Sequence, residues 1–191
     1  MILTIIKKPS LTQAIASTRS LSKVVGALMT IAMATVFYAP QLAAESEANS
    51  DAPFLDLMDT KGESADFEAA FNNGKWTLVK IWQANCHVCG EQAPVISAAH
   101  EERDDFSVVG ISVDGRGGLA GANRFLKRHG PTYPNFVGEL AIVAVNFQLL
   151  TEEAFRGTPS YLLFDPNNKL MAAQAGLISK EALFGFIDKN S

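Results

Sequence analysis

Residues 24–38, VVGALMTIAMATVFY, form an uncharged apolar run behind a stretch whose only charges are Lys7, Lys8, Arg19 and Lys23. Small residues Ala43 and Ala44 follow, and then the acidic ESEANSD. A basic start, an apolar centre and a small-residue exit predict an export signal over residues 1–44. The apolar stretch from Val24 to Ala44 is also just long enough to cross a bilayer, so a retained membrane anchor is the alternative. In both cases the basic end stays inside and the remainder is exported. ESEANSDA, residues 45–52, reads as a polar linker, and residues 53–191 as one domain.

Inside that domain the hydrophobic period switches repeatedly between two and about 3.6. PFLDLMDTKGESADFEAAF predicts a short strand, a turn at Lys61-Gly62 and a short helix. WTLVKIW, 76–82, is apolar and β-branched, the pattern of a central strand, with Lys80 lodged in it. Two cysteines follow at once and open a helix expected to run to about Arg103, with Pro94 inside it as a kink. FSVVGISVD, 106–114, is a second buried strand, GRGG breaks the chain, and NRFLKRHG predicts a helix stopped by Gly130. YPNFVGE reads as a short extended piece and LAIVAVNFQLL as a helix. GTPSYLLFDPNNKLMAAQAG predicts two antiparallel strands around a turn at Pro166-Asn167-Asn168, and Ser179 is placed to cap a last helix bearing Leu183, Phe184 and Ile187. Strands alternating with helices and closing on a hairpin and a helix predict an α/β domain with a mixed sheet.

Charge narrows the partners. The whole chain carries 16 basic and 20 acidic residues. The leader holds four of the basic ones and no acid, which leaves the remainder, residues 45–191, near −8 and ill suited to nucleic-acid phosphates. Hydrophobic content is 48%, ample for one core, and no internal repeat is present.

The chain has two cysteines, Cys86 and Cys89, three positions apart. A structural framework needs more of them, spread along the chain, and so short a loop stabilises little through chain entropy. The pair therefore reads as the working part. At a strand end opening a helix, Cys86 meets unpaired N–H groups and the positive end of the helix dipole, and both favour a thiolate nucleophile. Cys86 is the expected attacker and Cys89, one turn on, the resolving thiol. His87, if protonated, adds positive charge. A zinc site would need four ligands, and only His87, His100 and His129 are available to complete one.

At this motif the chain resembles the TlpA/ResA-type thioredoxin-like proteins, thiol:disulfide oxidoreductases of the bacterial cell envelope. The resemblance spans about residues 53 to 190 and rests on WQANCHVC at 82–89, VVGISVD at 108–114, FLKRHGPTYPNFVGE, and GTPSYLLFDPNNKL. It implies a thioredoxin fold, a mixed β-sheet flanked by helices, with the extra strand and helix insert of that family. It also implies that Thr158-Pro159 is the cis-proline step beside the cysteines, where the backbone of Thr158 pairs with substrate. Three positions depart from the pattern. Asn85 stands where a Trp is common before the first cysteine, Gln92 where the family has a proton-moving Glu, and Lys80 where thioredoxins carry a buried Asp. On a strand, Lys80 and Trp82 share a face, so Lys80 is expected beneath the active-site helix or with its ammonium snorkelling to solvent.

The function this implies is exchange of the Cys86–Cys89 disulfide with thiols of protein substrates, more in the reducing direction, with electrons from a membrane partner and no metal or organic cofactor. The site residues are Cys86 and Cys89 as reactants, Thr158, Pro159 and Trp82 for substrate, and His87, Lys80 and Gln92 as modulators. Alternatives are an oxidase or isomerase, a copper or other thiophilic-metal carrier, and, more remotely, a peroxidase, which lacks its usual Thr-and-Pro setting before the cysteine. His100 and His129 are expected to be exposed helix-end residues. Phenylalanines 106, 125, 136, 147, 155, 164, 184 and 186 are expected in the core, and Trp76 packs at its strand start.

Overall fold

A computed structural model describes Thr4, Ile5 and residues 53–191. The leader and linker readings otherwise lie outside the described residues. Thr4–Ile5 forms a two-residue strand, β1, opposite Ala173 and Ala172 on the sheet edge. Among the described residues no helix is long and apolar enough to cross a membrane.

The domain begins with isolated bridges in place of the expected first strand: Met58 pairs with Ser64 and with Val137. Asp59 closes the intervening turn through its side chain, which accepts from Lys61 and Glu63 N–H groups, while Gly62 takes a positive φ of 89°. Helix α1, Phe67–Phe71, is capped by Asp66. Strand β2 is Trp76–Trp82 and helix α2 is His87–Glu102. Strand β3, Phe106–Ser112, is followed by a 3₁₀ turn, helix α3 at Leu119–His129, strand β4 at Asn135–Val137 and helix α4 at Leu140–Thr151. Strands β5, Ser160–Phe164, and β6, Leu170–Ala175, form the hairpin, and α5 is Lys180–Asn190. Gly130 ends α3 in the left-handed region, and the Ser179 hydroxyl accepts from Ala182 N–H at the start of α5.

Sheet order is β1-β6-β5-β2-β3-β4. Strand β2 lies inside, parallel to β3 and antiparallel to β5. All residues of β2, β3 and β5 are buried. That follows from helices on both faces, which demand apolar side chains from successive positions. One layer sets Ile96 and Ala99 of α2 and Leu183 and Ile187 of α5 over Leu78, Val108 and Leu163. The other sets Phe67, Phe71, Val143 and Phe147 against Val79, Ile81, Val109 and Phe164. A smaller cluster under α3 joins Ala122 and Phe125 to Trp82 and Cys89. Of the expected core phenylalanines, 106, 125, 136, 147 and 164 are buried, and 155, 184 and 186 pack half-buried around them.

Phe71 is fully buried, its ring 5.6 Å from that of Phe67 and edge-on to Phe164 at 4.9 Å. It ties a five-residue helix to the sheet. Phe71→Ala is expected to destabilise the domain by about 3–5 kcal/mol in urea unfolding.

Candidate active site

Strand β2 ends at Trp82 and the chain turns through Gln83, Ala84 and Asn85 into α2. The turn is pinned from the neighbouring strand. Asp114, just past β3, accepts from Ala84 N–H at 2.8 Å and from the Ser112 hydroxyl at 2.5 Å. Cys86 N–H closes onto Gln83 C=O at 3.1 Å. Cys86 is then the N-cap of α2 in extended conformation, and its sulfur accepts from Cys89 N–H at 3.1 Å. A sulfur thus takes the place usually held by a Ser, Thr or Asp oxygen, at the positive end of the helix. Cys86 and Cys89 are joined as a disulfide with Cα atoms 5.2 Å apart. Their environments differ: Cys86 is half-buried, and Cys89 is wholly enclosed. Only one residue of the pair meets the outside.

The Thr158–Pro159 bond is cis. The Thr158 carbonyl oxygen lies 3.6 Å from Cys86 Sγ. The register Ile81 opposite Ser160 sets this distance, because it leaves Thr158 and Pro159 alongside the end of β2. Two further bonds hold the loop: the Ser160 hydroxyl donates to Gly157 C=O at 2.7 Å, and Gly176 N–H to Pro159 C=O at 2.9 Å.

Trp82 forms the floor. Its indole N–H donates to Asn135 Oδ1 at 3.0 Å, and its ring stacks on Phe125 at 4.4 Å. This bond passes over Gly110, where an added Cβ would fall 2.0 Å from Asn135 Oδ1, so the contact requires glycine in β3. At 1% exposure Trp82 cannot touch a substrate in this state; it supports the cysteines from beneath, a correction to its expected substrate-binding role.

Two histidines also differ from expectation. The His129 ring lies 4.4 Å from Phe125 and covers Gly90 of α2 so closely that a Cβ there would fall 2.5 Å from Cε1. Burial, Arg128, Lys80 and His87 hold its pKa below the ordinary imidazole value. His100 is half-buried, edge-on to Tyr133 at 6.2 Å, and burial lowers its pKa as well. Both lie at helix ends, where sequence suggests solvent, but His129 packs back against Gly90 of α2 and Tyr133, before β4, packs against His100. His87 is exposed and sits 3.2 Å from Glu91.

Lys80 is 1% exposed. Its ammonium does not reach solvent; Nζ donates to Cys89 C=O at 3.0 Å and to the Tyr133 hydroxyl at 3.3 Å. Burial without a carboxylate partner lowers its pKa from 10.5 to about 8. Gln92 is also buried and acts as an acceptor, its Oε1 receiving the Tyr161 hydroxyl at 3.1 Å and Ile178 N–H at 3.0 Å. It ties α2 to β5 and to the segment before α5. Burial raises the pKa of both Tyr133 and Tyr161. Sequence reading missed Asp114, Tyr133 and Tyr161. Asp114 had a signal in VVGISVD, and Tyr161 had strand alternation, but nothing local marks Tyr133 as a partner of Lys80.

Residues 48–173 match the model of the AhpC/TSA family, and the chain belongs to that family, one of oxidoreductases. No curated protein sequence matches it. Among solved structures it is similar to a secreted Mycobacterium tuberculosis disulfide oxidoreductase homologous to E. coli DsbE, at 15% identity and TM-score 0.56, covering 74% of this chain and 99% of that one. A thioredoxin-related protein from Neisseria meningitidis serogroup B matches at 17% identity and TM-score 0.58, covering 70% and 97%. StoA from Bacillus subtilis matches at 15% and 0.53, covering 71% and 99%. At these identities the likeness carries the fold, which is thioredoxin-like α/β with a mixed sheet between helices.

Two outcomes follow from the geometry. Asp114→Ala leaves Ala84 N–H and the Ser112 hydroxyl unpartnered and is expected to cost about 1–3 kcal/mol in urea unfolding, with faster amide exchange at Ala84. Lys80 binds its proton less tightly in the folded chain than in the unfolded one. Between pH of about 8 and about 10.5 the unfolded chain therefore holds more proton, and folding becomes more favourable as pH rises through that window. Below it the buried ammonium costs on the order of 3 kcal/mol. Oxidised Lys80→Met is expected to be the more stable protein at pH 7, with its advantage shrinking by pH 10.5; a constant difference across that range contradicts the titration.

Proposed function

We propose that this AhpC/TSA-family chain is a cell-envelope thiol:disulfide oxidoreductase of the TlpA/ResA type, working on the thiols and disulfides of other proteins. The observation that carries the reading is the asymmetric pair at the α2 N-terminus: Cys86 open to the outside, Cys89 enclosed, and the Thr158 carbonyl 3.6 Å from Cys86 Sγ. In the reduced protein, Cys89 N–H and the helix dipole favour a thiolate at Cys86. That thiolate attacks a substrate disulfide, forming a mixed disulfide and expelling one substrate thiolate. Cys89 then attacks Cys86 Sγ, closes the internal disulfide and releases the second. The reverse sequence oxidises a substrate dithiol. An extended substrate backbone docks against Thr158 at the Thr158-Pro159 step. The sulfur pair itself carries the electrons, so exchange requires no metal or organic cofactor.

Four motifs in family order support the subtype, and the basic-then-apolar leader supports export. One structural relative is described as secreted. The resemblance favours a reductase supplied with electrons by a membrane partner. His87 modulates little in this reading, because both it and its contact with Glu91 are exposed. A thiophilic-metal carrier would need further ligands beside the sulfurs. Among the described residues no group of three or more His, Cys, Asp or Glu side chains is placed to hold a metal ion.

Cys86 is expected to alkylate first in the reduced protein, with a pKa of roughly 3.5–7.5. Cys89→Ala is expected to accumulate mixed disulfides with protein partners through Cys86; accumulation in Cys86→Ala instead reverses the roles. A reduction potential near about −270 mV marks a reductant, and one near about −120 mV an oxidant.

A further inference from the structure

Cys89 presents a difficulty for exchange. It must become a thiolate to resolve the mixed disulfide, yet it is fully enclosed, and burial opposes thiol ionisation. A neighbouring carboxylate could take the proton. The two positions where the resemblance would place one hold Lys80 and Gln92. Gln92 cannot titrate, and its Oε1 is already engaged by Tyr161 and Ile178. Glu91 is exposed and directed to His87.

We propose that Lys80 is the proton partner of Cys89: in the reduced protein the two share one proton, which makes Cys89 a thiolate at neutral pH where a carboxylate would otherwise do so. This rests on the exchange reading and adds a residue to it.

The contacts of Nζ match this role. A neutral amine has two N–H donors and one lone pair. Cys89 C=O and the Tyr133 hydroxyl take two donors, which leaves the lone pair free for a proton. Lys80 approaches α2 at Cys89 itself, since the alternation of β2 turns Leu78, Lys80 and Trp82 to the α2 side of the sheet. The titratable groups around it are Cys89 on α2, Tyr133 before β4, Tyr161 opposite it on β5, His129 at the end of α3, and, beyond Tyr133, His100. Burial holds both tyrosines protonated, and burial keeps both histidines biased to neutral. Among the described residues no carboxylate forms an ion pair with Lys80, so its charge is free to be balanced by a thiolate. The lowered Lys80 pKa agrees with an amine able to gain or lose a proton near neutrality.

The Cys89 proton passes to the Lys80 amine, giving thiolate and ammonium. Cys89 sulfur attacks Cys86 Sγ, the Cys86–substrate S–S bond breaks, and the substrate thiolate leaves. Two cysteine thiols are oxidised to one disulfide as one substrate disulfide is reduced to two thiols. The proton on Lys80 then passes to the departing thiolate or to solvent. Because thiolate with ammonium and thiol with amine carry the same number of protons, their apparent pKa values belong to the pair.

The test loads Cys86 with 5-thio-2-nitrobenzoate as a mixed disulfide and follows release of the coloured thiolate as Cys89 attacks; the chain has no other cysteine. The native protein is expected to reach its full release rate near neutral pH. Lys80→Met and Lys80→Gln are expected to release at least ~10-fold more slowly at pH 7, with the profile moved upward by one pH unit or more, as a buried thiol without a cation requires. Iodoacetamide reaction at Cys86 should keep its pH profile in both variants. Superimposable release profiles in native protein and variants overturn the assignment and leave exchange intact. Failure of native Cys86 to accept the reporter removes the exchange reading and the assignment together. Independently of any change at Lys80, Cys89 in Cys86→Ser should titrate below the ordinary thiol value of about 8.5 by thiolate absorbance, and a value above it also overturns the assignment.

Discussion

Everything at this site depends on β2 being hydrogen-bonded along both edges. Its parallel pairing with β3 sets Trp82 against Ser112, two residues short of Asp114, which holds the turn before Cys86. Its antiparallel pairing with β5 sets Ile81 against Ser160, and so brings Thr158 to Cys86. Side chains alternate across a strand, so a slip of one residue would send Lys80 and Trp82 to the opposite face. Both layers of core oppose the slip, because Val79 and Ile81 face the α1 and α4 phenylalanines while Leu78 faces α2 and α5. Register and core composition reinforce one another.

The floor of the site shows how closely packing and polarity are coupled. Trp82, Asn135 and Gly110 form one unit: the indole bond to Asn135 crosses a strand where any side chain larger than hydrogen would collide. On the far side of Trp82, Phe125 stacks on the indole and the tilted His129 ring packs against Phe125, so α3 closes over Cys89. Enclosure of Cys89 strengthens local electrostatics and raises the demand for a nearby charge. A buried cation is costly by itself, and its persistence against the Cys89 carbonyl fits a site that keeps some instability for the sake of its chemistry.

Much of this was legible in order along the chain. The β2 span from Trp76 to Trp82, the helix opened by the cysteines, the stop at Gly130, the Ser179 cap and the hairpin turn near Asn168 all follow from local signals, because periodicity, caps and turn residues act over a few positions. The cis step at Thr158-Pro159 followed from a motif of known placement. Local patterns failed where a partner came from far away. His100 and His129 read as exposed because neither neighbouring sequence nor charge reveals what folds over them. The first strand reduced to bridges at Met58, whose partners Ser64 and Val137 are set by the turn and by β4.

The sequence by itself determined which groups could react: two cysteines, three residues apart, at a strand-to-helix junction, in a chain whose remaining charge disfavours nucleic acid. It also determined that Lys80 and Gln92 occupy places where carboxylates would be expected, since residue identity at a motif position is local information. Only the tertiary structure decided what those substitutions mean. Whether Lys80 snorkels or turns inward depends on how much apolar surface closes around its strand, and that surface comes from α2, the segment before β4 and β5. Its two acceptors lie nine and fifty-three residues away, and bonds of that kind exist only once the sheet has brought them together.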